Sequence, residues 1–161
     1  MNDIKSFVLL KYKILTPNSS TWHLGETYPL EVRKNWAWRC AEDVEHLATT
    51  KKAKEVYRVA RLYRDGKATR EELTTFHNTC IADSASANYA VYVAVYAALA
   101  IDAHAKYAIV AADNAANAAA YVVRAINTDI TTYAATHATK WNLYIDWLIE
   151  ELCKYEGLKN E

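Results

Sequence analysis

The stretch that decides the fold runs from Asp83 to Ala125: DSASANYAVYVAVYAALAIDAHAKYAIVAADNAANAAAYVVRA. Alanine is the strongest helix former because it loses no side-chain entropy and leaves the backbone hydrogen bonds undisturbed. No glycine or proline interrupts the run, and its small side chains let helix axes approach closely. The segment is therefore expected to form the packed centre of an all-α, alanine-rich bundle of five to six helices. Its tyrosines are the informative residues, because each hydroxyl must find a partner or be presented to a ligand.

The remainder of the chain supports that reading. Its 161 residues are enough for one domain with a substantial core. Only 3 glycines and 2 prolines are present, which favours a few long helices over many strands and turns. The formal net charge is zero, so the chain carries no electrostatic footprint for duplex DNA or an anionic membrane surface. Asp102, His104, Lys106, Asp113, Asn114, Asn117 and Arg124 interrupt the alanine tract, so no membrane-spanning segment is expected. Cys40, Cys80 and Cys153 are widely spaced, and no signal peptide is evident. These features point to a reduced, cytoplasmic protein.

Residues 1–28 read as a less regular N-terminal extension, with a short helix starting at Asn2 or Asp3. Residues 30–156 read as the bundle. A helix over Leu30–Ala48 places Val32, Trp36, Cys40, Val44 and Leu47 on one face. Thr49 or Thr50 caps a third helix, Lys51–Arg64, which Gly66 ends. Thr69 and Glu72 have the spacing of a capping box. The fourth helix that it opens has no obvious stop before Asp102, apart from a possible break at Asp83–Ser84. A fifth is expected over Ala103–Ile126. A sixth, capped by Thr128 or Asp129 and ending before Gly157, carries Ile130, Tyr133, His137, Trp141, Tyr144 and Leu148 at helical spacing.

Two segments, Trp36-Ala-Trp-Arg-Cys-Ala-Glu-Asp-Val-Glu-His-Leu47 and Tyr63-Arg-Asp-Gly-Lys-Ala-Thr-Arg-Glu-Glu-Leu73, precede the alanine-rich helices in this order. Together they resemble the alanine-rich helical immunity-protein type of phage and bacterial proteins, over roughly residues 30–155. The resemblance implies an all-α fold and no known enzyme activity. It carries over no functional residue.

Tyr89, Tyr92 and Tyr96 are spaced by three and four residues, on one side of one helix. Tyr107 and Tyr121 are fourteen apart and share a face, with Asn114 and Asn117 roughly between them. Such rings serve either as the large partners of alanine in a core or as stacking surfaces for a nucleobase. Asparagine can read a base edge through its paired donor and acceptor. Among the cations, Arg58 and Arg61 share a face with Lys54, and Arg124 closes the alanine tract. They offer either a salt-bridged surface or a phosphate contact. His104 and His137 sit within the apolar helices. Thr128, Thr131, Thr132, Thr136 and Thr139 either bond back to their own helix or line a polar cleft.

Cys40 and His46 are six residues apart on a helix and point in different directions, so no thiol–imidazole or metal site is expected there. No phosphate-binding glycine loop, nucleophile elbow or paired-carboxylate arrangement is visible. The expectation is a non-enzymatic binding protein without a cofactor: a phage-type anti-defence inhibitor that sequesters a nucleotide immune signal in a host cytoplasm. The alternative is an immunity- or antitoxin-like protein that covers a protein target with a helix face. An enzyme using His104 or His137 with nearby carboxylates is a third reading. Because so wide an alanine face exceeds what a short bundle obviously covers, a homo-oligomer is also expected.

Overall fold

A computed structural model describes residues 3–14, 24, 27–80, 84–102, 105–126 and 130–159. Among these residues there are seven α-helices and no strand: α1 Asp3–Lys11, α2 Leu30–Val44, α3 Lys51–Arg64, α4 Arg70–Thr79, α5 Ala85–Leu99, α6 Ala105–Ile126 and α7 Ile130–Lys159. A short 3₁₀ turn, Glu45–Leu47, follows α2, so the second helix ends earlier than its apolar stripe implied.

The helix starts follow local chemistry. Thr50 accepts from the Ala53 amide at 3.1 Å, and Ser84 accepts from Ala87 at 3.2 Å. Thr69 and Glu72 form the reciprocal capping box, with bonds of 3.1 and 2.8 Å. At the end of α3, Gly66 takes φ +73°, and Lys67 donates back to the Leu62 carbonyl at 2.7 Å.

Two boundaries correct the expectation. The fourth helix stops at Thr79 instead of continuing to Asp102, which adds a helix to the expected five or six. Its second half, Thr74-Thr-Phe-His-Asn-Thr79, is poor in helix formers, and Thr75 and Thr79 turn their hydroxyls onto the Glu71 and Thr75 carbonyls. The last helix passes through Gly157, where packing outweighs a cost of about 1 kcal/mol for glycine in a helix. Thr128 and Asp129, the proposed caps, and His104 lie outside the described residues.

Helix α6 is the centre. Its interfaces with α5, α7 and α2 are the most extensive in which it takes part. Ala108, Ala111, Ala112, Ala115, Ala116, Ala118 and Ala120 have no exposed surface at all. Lys106, Asp113 and Arg124 occupy its exposed side. The alanine face is thus covered by the chain's own helices, which removes the physical ground on which an oligomer was expected. Residues of the N-terminal segment join the same core: Val8, Tyr12 and Ile14 are buried, and α1 packs on α7.

Large side chains fill the space around this alanine centre. Trp36 is fully buried and donates its indole N–H to the Tyr144 carbonyl at 2.7 Å. The Tyr57 hydroxyl lies 3.0 Å from each of the Ala41 and Ala90 carbonyls. No helix among the described residues is long and apolar enough to cross a membrane.

Ala98, fully buried on α5, tests this packing. Ala98→Leu is expected to overpack the helix contact and lower stability by roughly 1–3 kcal/mol, read by thermal or denaturant unfolding. An unchanged midpoint would show that the site has room for three more carbons.

A candidate ligand site along helices α5 and α6

The five tyrosines proposed from sequence are all half-buried, and they form a strip where α5 runs antiparallel to α6. At one end Tyr89 stacks on Tyr121, with ring centroids 5.2 Å apart and planes within 15°. At the other end Tyr96 stacks on Tyr107, at 6.2 Å and 23°. Residue number rises along α5 as it falls along α6, so the two pairs mark opposite ends of one groove between two helices. Tyr92 lies between them on α5 and meets His77 of α4 edge-on at 5.2 Å.

Helix α7 closes the Tyr89–Tyr121 end. The Tyr133 ring stands edge-on to Tyr121 at 5.0 Å, and its hydroxyl donates to Asn117 Oδ1 at 2.5 Å. His137 lies parallel to Tyr133 at 6.4 Å and meets Asp113 Oδ1 at 3.2 Å. The Arg124 guanidinium sits 5.8 Å from the Tyr121 ring centre and 5.9 Å from that of Tyr133. No carboxylate pairs with Arg124 among the described residues.

The other end carries a cation that sequence reasoning missed. Arg70, the first residue of α4, contacts Tyr107, and this contact, ahead of Asp102, raises its pKa above the usual guanidinium value. Asp102 Oδ2 is 3.5 Å from Arg70 Nη1. Tyr63 is pushed above the ordinary phenol range, first by burial and then by the Asp102 charge. Nothing in the spacing of Arg70 distinguished it from a solvated lysine or arginine, because its partner lies on another helix.

Arg58 and Arg61 are placed elsewhere. Arg58 is tied to Glu55 at 2.9 Å, and Arg61 is paired with Glu45 and lies over the Trp38 and Tyr57 rings. Both are engaged on the α3 side of the bundle. Asn114 is half-buried on α6, between the two tyrosine pairs. Thr136 and Thr139 bond back to the Thr132 and Ala135 carbonyls, so those hydroxyls serve the helix and not a cleft. Tyr133, His77 and Asp113 were not read as site residues; the i, i+4 spacing of Tyr133 and His137 was a visible signal for Tyr133, while His77 and Asp113 meet their partners from other helices.

The chemistry of the strip is that of recognition. Its rings offer flat π surface, Arg124 offers a planar fork of donors, and Asp113 with His137 offers a hydrogen-bonded polar edge. Burial, followed by the neighbouring Tyr121, raises the Tyr89 and Tyr133 phenols above their ordinary value. Burial lowers the His77 imidazole. Among the described residues, no group of three or more His, Cys, Asp or Glu could hold a metal ion. Burial pushes the Cys40 thiol well up, which disfavours the thiolate. Comparison with protein-family models, with curated proteins and with solved structures finds no match for this chain.

The raised phenols give a pH prediction of definite sign. In the unfolded chain tyrosines ionise near about pH 10, whereas in the folded strip they hold their protons to higher pH. The unfolded state sheds protons first, so this contribution is fully present below about pH 10 and lost as pH rises through the folded values. Denaturant unfolding followed from neutral to alkaline pH is expected to show stability falling above that point. The double variant Tyr89→Phe/Tyr133→Phe is expected to fall less steeply.

Proposed function

We propose that the protein is a non-enzymatic binding protein that sequesters a small nucleotide-type ligand on the α5–α6 aromatic strip. The observation that carries this reading is the Tyr89–Tyr121–Tyr133 cluster with Arg124 beside it and no carboxylate neutralising that arginine among the described residues. A nucleobase needs a flat π surface, and its phosphate needs a planar guanidinium or a similar donor. Half-buried rings supply the first at low entropic cost, since the neighbouring rings already hold them in place. On this reading a base stacks on the outward face of Tyr121 or Tyr133, and Arg124 meets the phosphate. Arg70, beside Tyr107 at the other end, is paired with Asp102 and so is not the phosphate contact of this reading. A tight binder without turnover fits an anti-defence role in a host cytoplasm, a reading in keeping with the phage character of the proteins the sequence resembles.

A second reading has its own support. Ile126 and Ile130, at the α6–α7 corner, are 87% and 71% exposed, which is unusual for isoleucine. With Arg124 close in sequence they form an apolar and cationic tip suited to a protein target, as an immunity- or antitoxin-like inhibitor requires.

Incubation with nucleotide second messengers, followed by denaturation and recovery of the ligand, separates the readings. Intact recovered nucleotide supports sequestration. An altered product means an enzyme, and no uptake leaves the protein-target reading. If sequestration holds, Tyr121→Ala is expected to weaken binding by about 1–3 kcal/mol with its salt dependence unchanged. Arg124→Gln is expected to weaken it and also to flatten the salt dependence, because one screened charge contact is lost. Calorimetric titration at several salt concentrations, with circular dichroism as the folding control, reads both.

A further inference from the structure

Helix α2 carries a separate cleft of about 450 Å³, bounded by Arg64 and Asp65 at the end of α3 and by Glu151 of α7. Its floor is one stripe of α2, Lys34, Trp38 and Glu42, at successive spacings of four residues. The volume lies in the range of small-molecule sites.

Two features of the cleft set the chemistry of its occupant. Trp38 is only 6% exposed, and its indole N–H is buried with no acceptor. A buried donor left unmet is costly, so the cleft has a standing demand for an acceptor. The charges supply the second feature. Arg64 is bonded to Asp65 at 3.0 Å, and Glu151 is bonded to Arg39 at 3.0 Å and to Lys154 at 3.3 Å. Lys34 and Glu42 make no ion pair among the described residues. They lie eight residues apart, about 12 Å along the helix axis, with Trp38 midway. Asp65 is committed first to Arg64 and feels Lys34 only as a lesser influence, so the cleft, neutral overall, presents an unbonded cation towards one end, a donor in the middle and an unbonded anion towards the other.

We infer that this cleft binds a short zwitterionic peptide, with its carboxylate at Lys34, a backbone carbonyl accepting from the Trp38 indole and its ammonium at Glu42. Three extended residues span about 10 Å, close to the ~12 Å of helix rise between residues 34 and 42, and the flexible Lys34 and Glu42 side chains can take up the difference. A simple anion fits worse, because Glu42 repels it at one end and nothing there gains a partner. The Arg64 guanidinium lies 4.5 Å over the Trp38 ring and is tied to its own neighbour Asp65, so it is the side chain that must swing to admit the ligand. The site is independent of the aromatic strip.

Calorimetric titration of the full chain with triglycine tests the inference, with C-terminally amidated triglycine, N-acetylated triglycine and inorganic phosphate as comparators. Triglycine is expected to bind one per chain, and each blocked form to bind roughly tenfold more weakly, since one charge-assisted contact is lost. Trp38→Phe keeps the ring, removes the donor and is expected to weaken triglycine about tenfold. Glu42 is exposed, so Glu42→Gln leaves the fold intact. It is expected to weaken triglycine while strengthening phosphate, a reversal that general destabilisation cannot produce. No triglycine binding at millimolar concentration overturns the inference. Phosphate binding as tightly as triglycine, or a Glu42→Gln variant that alters neither ligand, overturns it as well.

Discussion

Everything in this molecule depends on how closely α6 can lie against its neighbours. A helix whose buried positions are all alanine presents a nearly smooth cylinder, so the axes of α5, α7 and α2 can approach it without interdigitating long side chains. The stabilisation comes from many small backbone and methyl contacts, each weak and all close to optimal distance. The large residues are displaced outward, where Trp36, Tyr57 and Tyr144 fill the wider gaps around α2, α3 and α7. The same smallness exposes backbone carbonyls to neighbours. The Tyr57 hydroxyl reaches the Ala41 and Ala90 carbonyls, and no bulky side chain stands between them.

Buried charge then pins the helices at their ends. Arg33 is 9% exposed and has no carboxylate partner among the described residues; it donates to the carbonyls of Tyr28, Ala100 and Asp102 at 2.6, 3.2 and 3.0 Å. Two of these lie just past the end of α5, where the helix dipole favours a cation. One guanidinium thereby joins the start of α2 to the end of α5, and the Asp102 side chain continues the link to Arg70 of α4. Glu156 does the equivalent for α1, accepting from Lys11 at 2.8 Å and from Tyr12 at 2.6 Å. The Tyr12 phenol is raised by burial first and by that carboxylate second, as expected of a hydroxyl committed to donating. Asp43 ties α2 to α7 by accepting from Lys140 and Tyr144 at 2.9 and 2.7 Å.

This scheme divides the aromatic residues by role. Tyr57 and Tyr144 spend their hydroxyls inside the fold, and their rings belong to the core. Tyr89, Tyr92, Tyr96, Tyr107 and Tyr121 remain half-buried, held mainly by one another in the groove between α5 and α6. Three of them, Tyr89, Tyr96 and Tyr107, also pack against the core, so the strip is a partly exposed aromatic surface anchored from beneath, and the proposed function rests there. The proposed peptide cleft follows a different logic, that of charges on one helix stripe left unmatched while their neighbours pair.

From sequence alone, the all-α class, the extent of α3, the caps at Thr50 and Thr69, the turn at Gly66 and the facing of the five tyrosines could be read. Each is local: propensity, a capping side chain, a positive φ or a helical period depends on residues within a turn or two. Which ring stacks on which, and which arginine is free, could not be read. Arg61 and Arg124 look alike in the sequence, yet one is neutralised by Glu45 across a helix boundary and the other faces two rings. Likewise, nothing local announced that the alanine face would be covered within one chain, or that Arg33 would be buried among carbonyls. Such outcomes depend on pairs far apart in sequence, whose meeting is set by how the helices pack, and only the tertiary structure decides them.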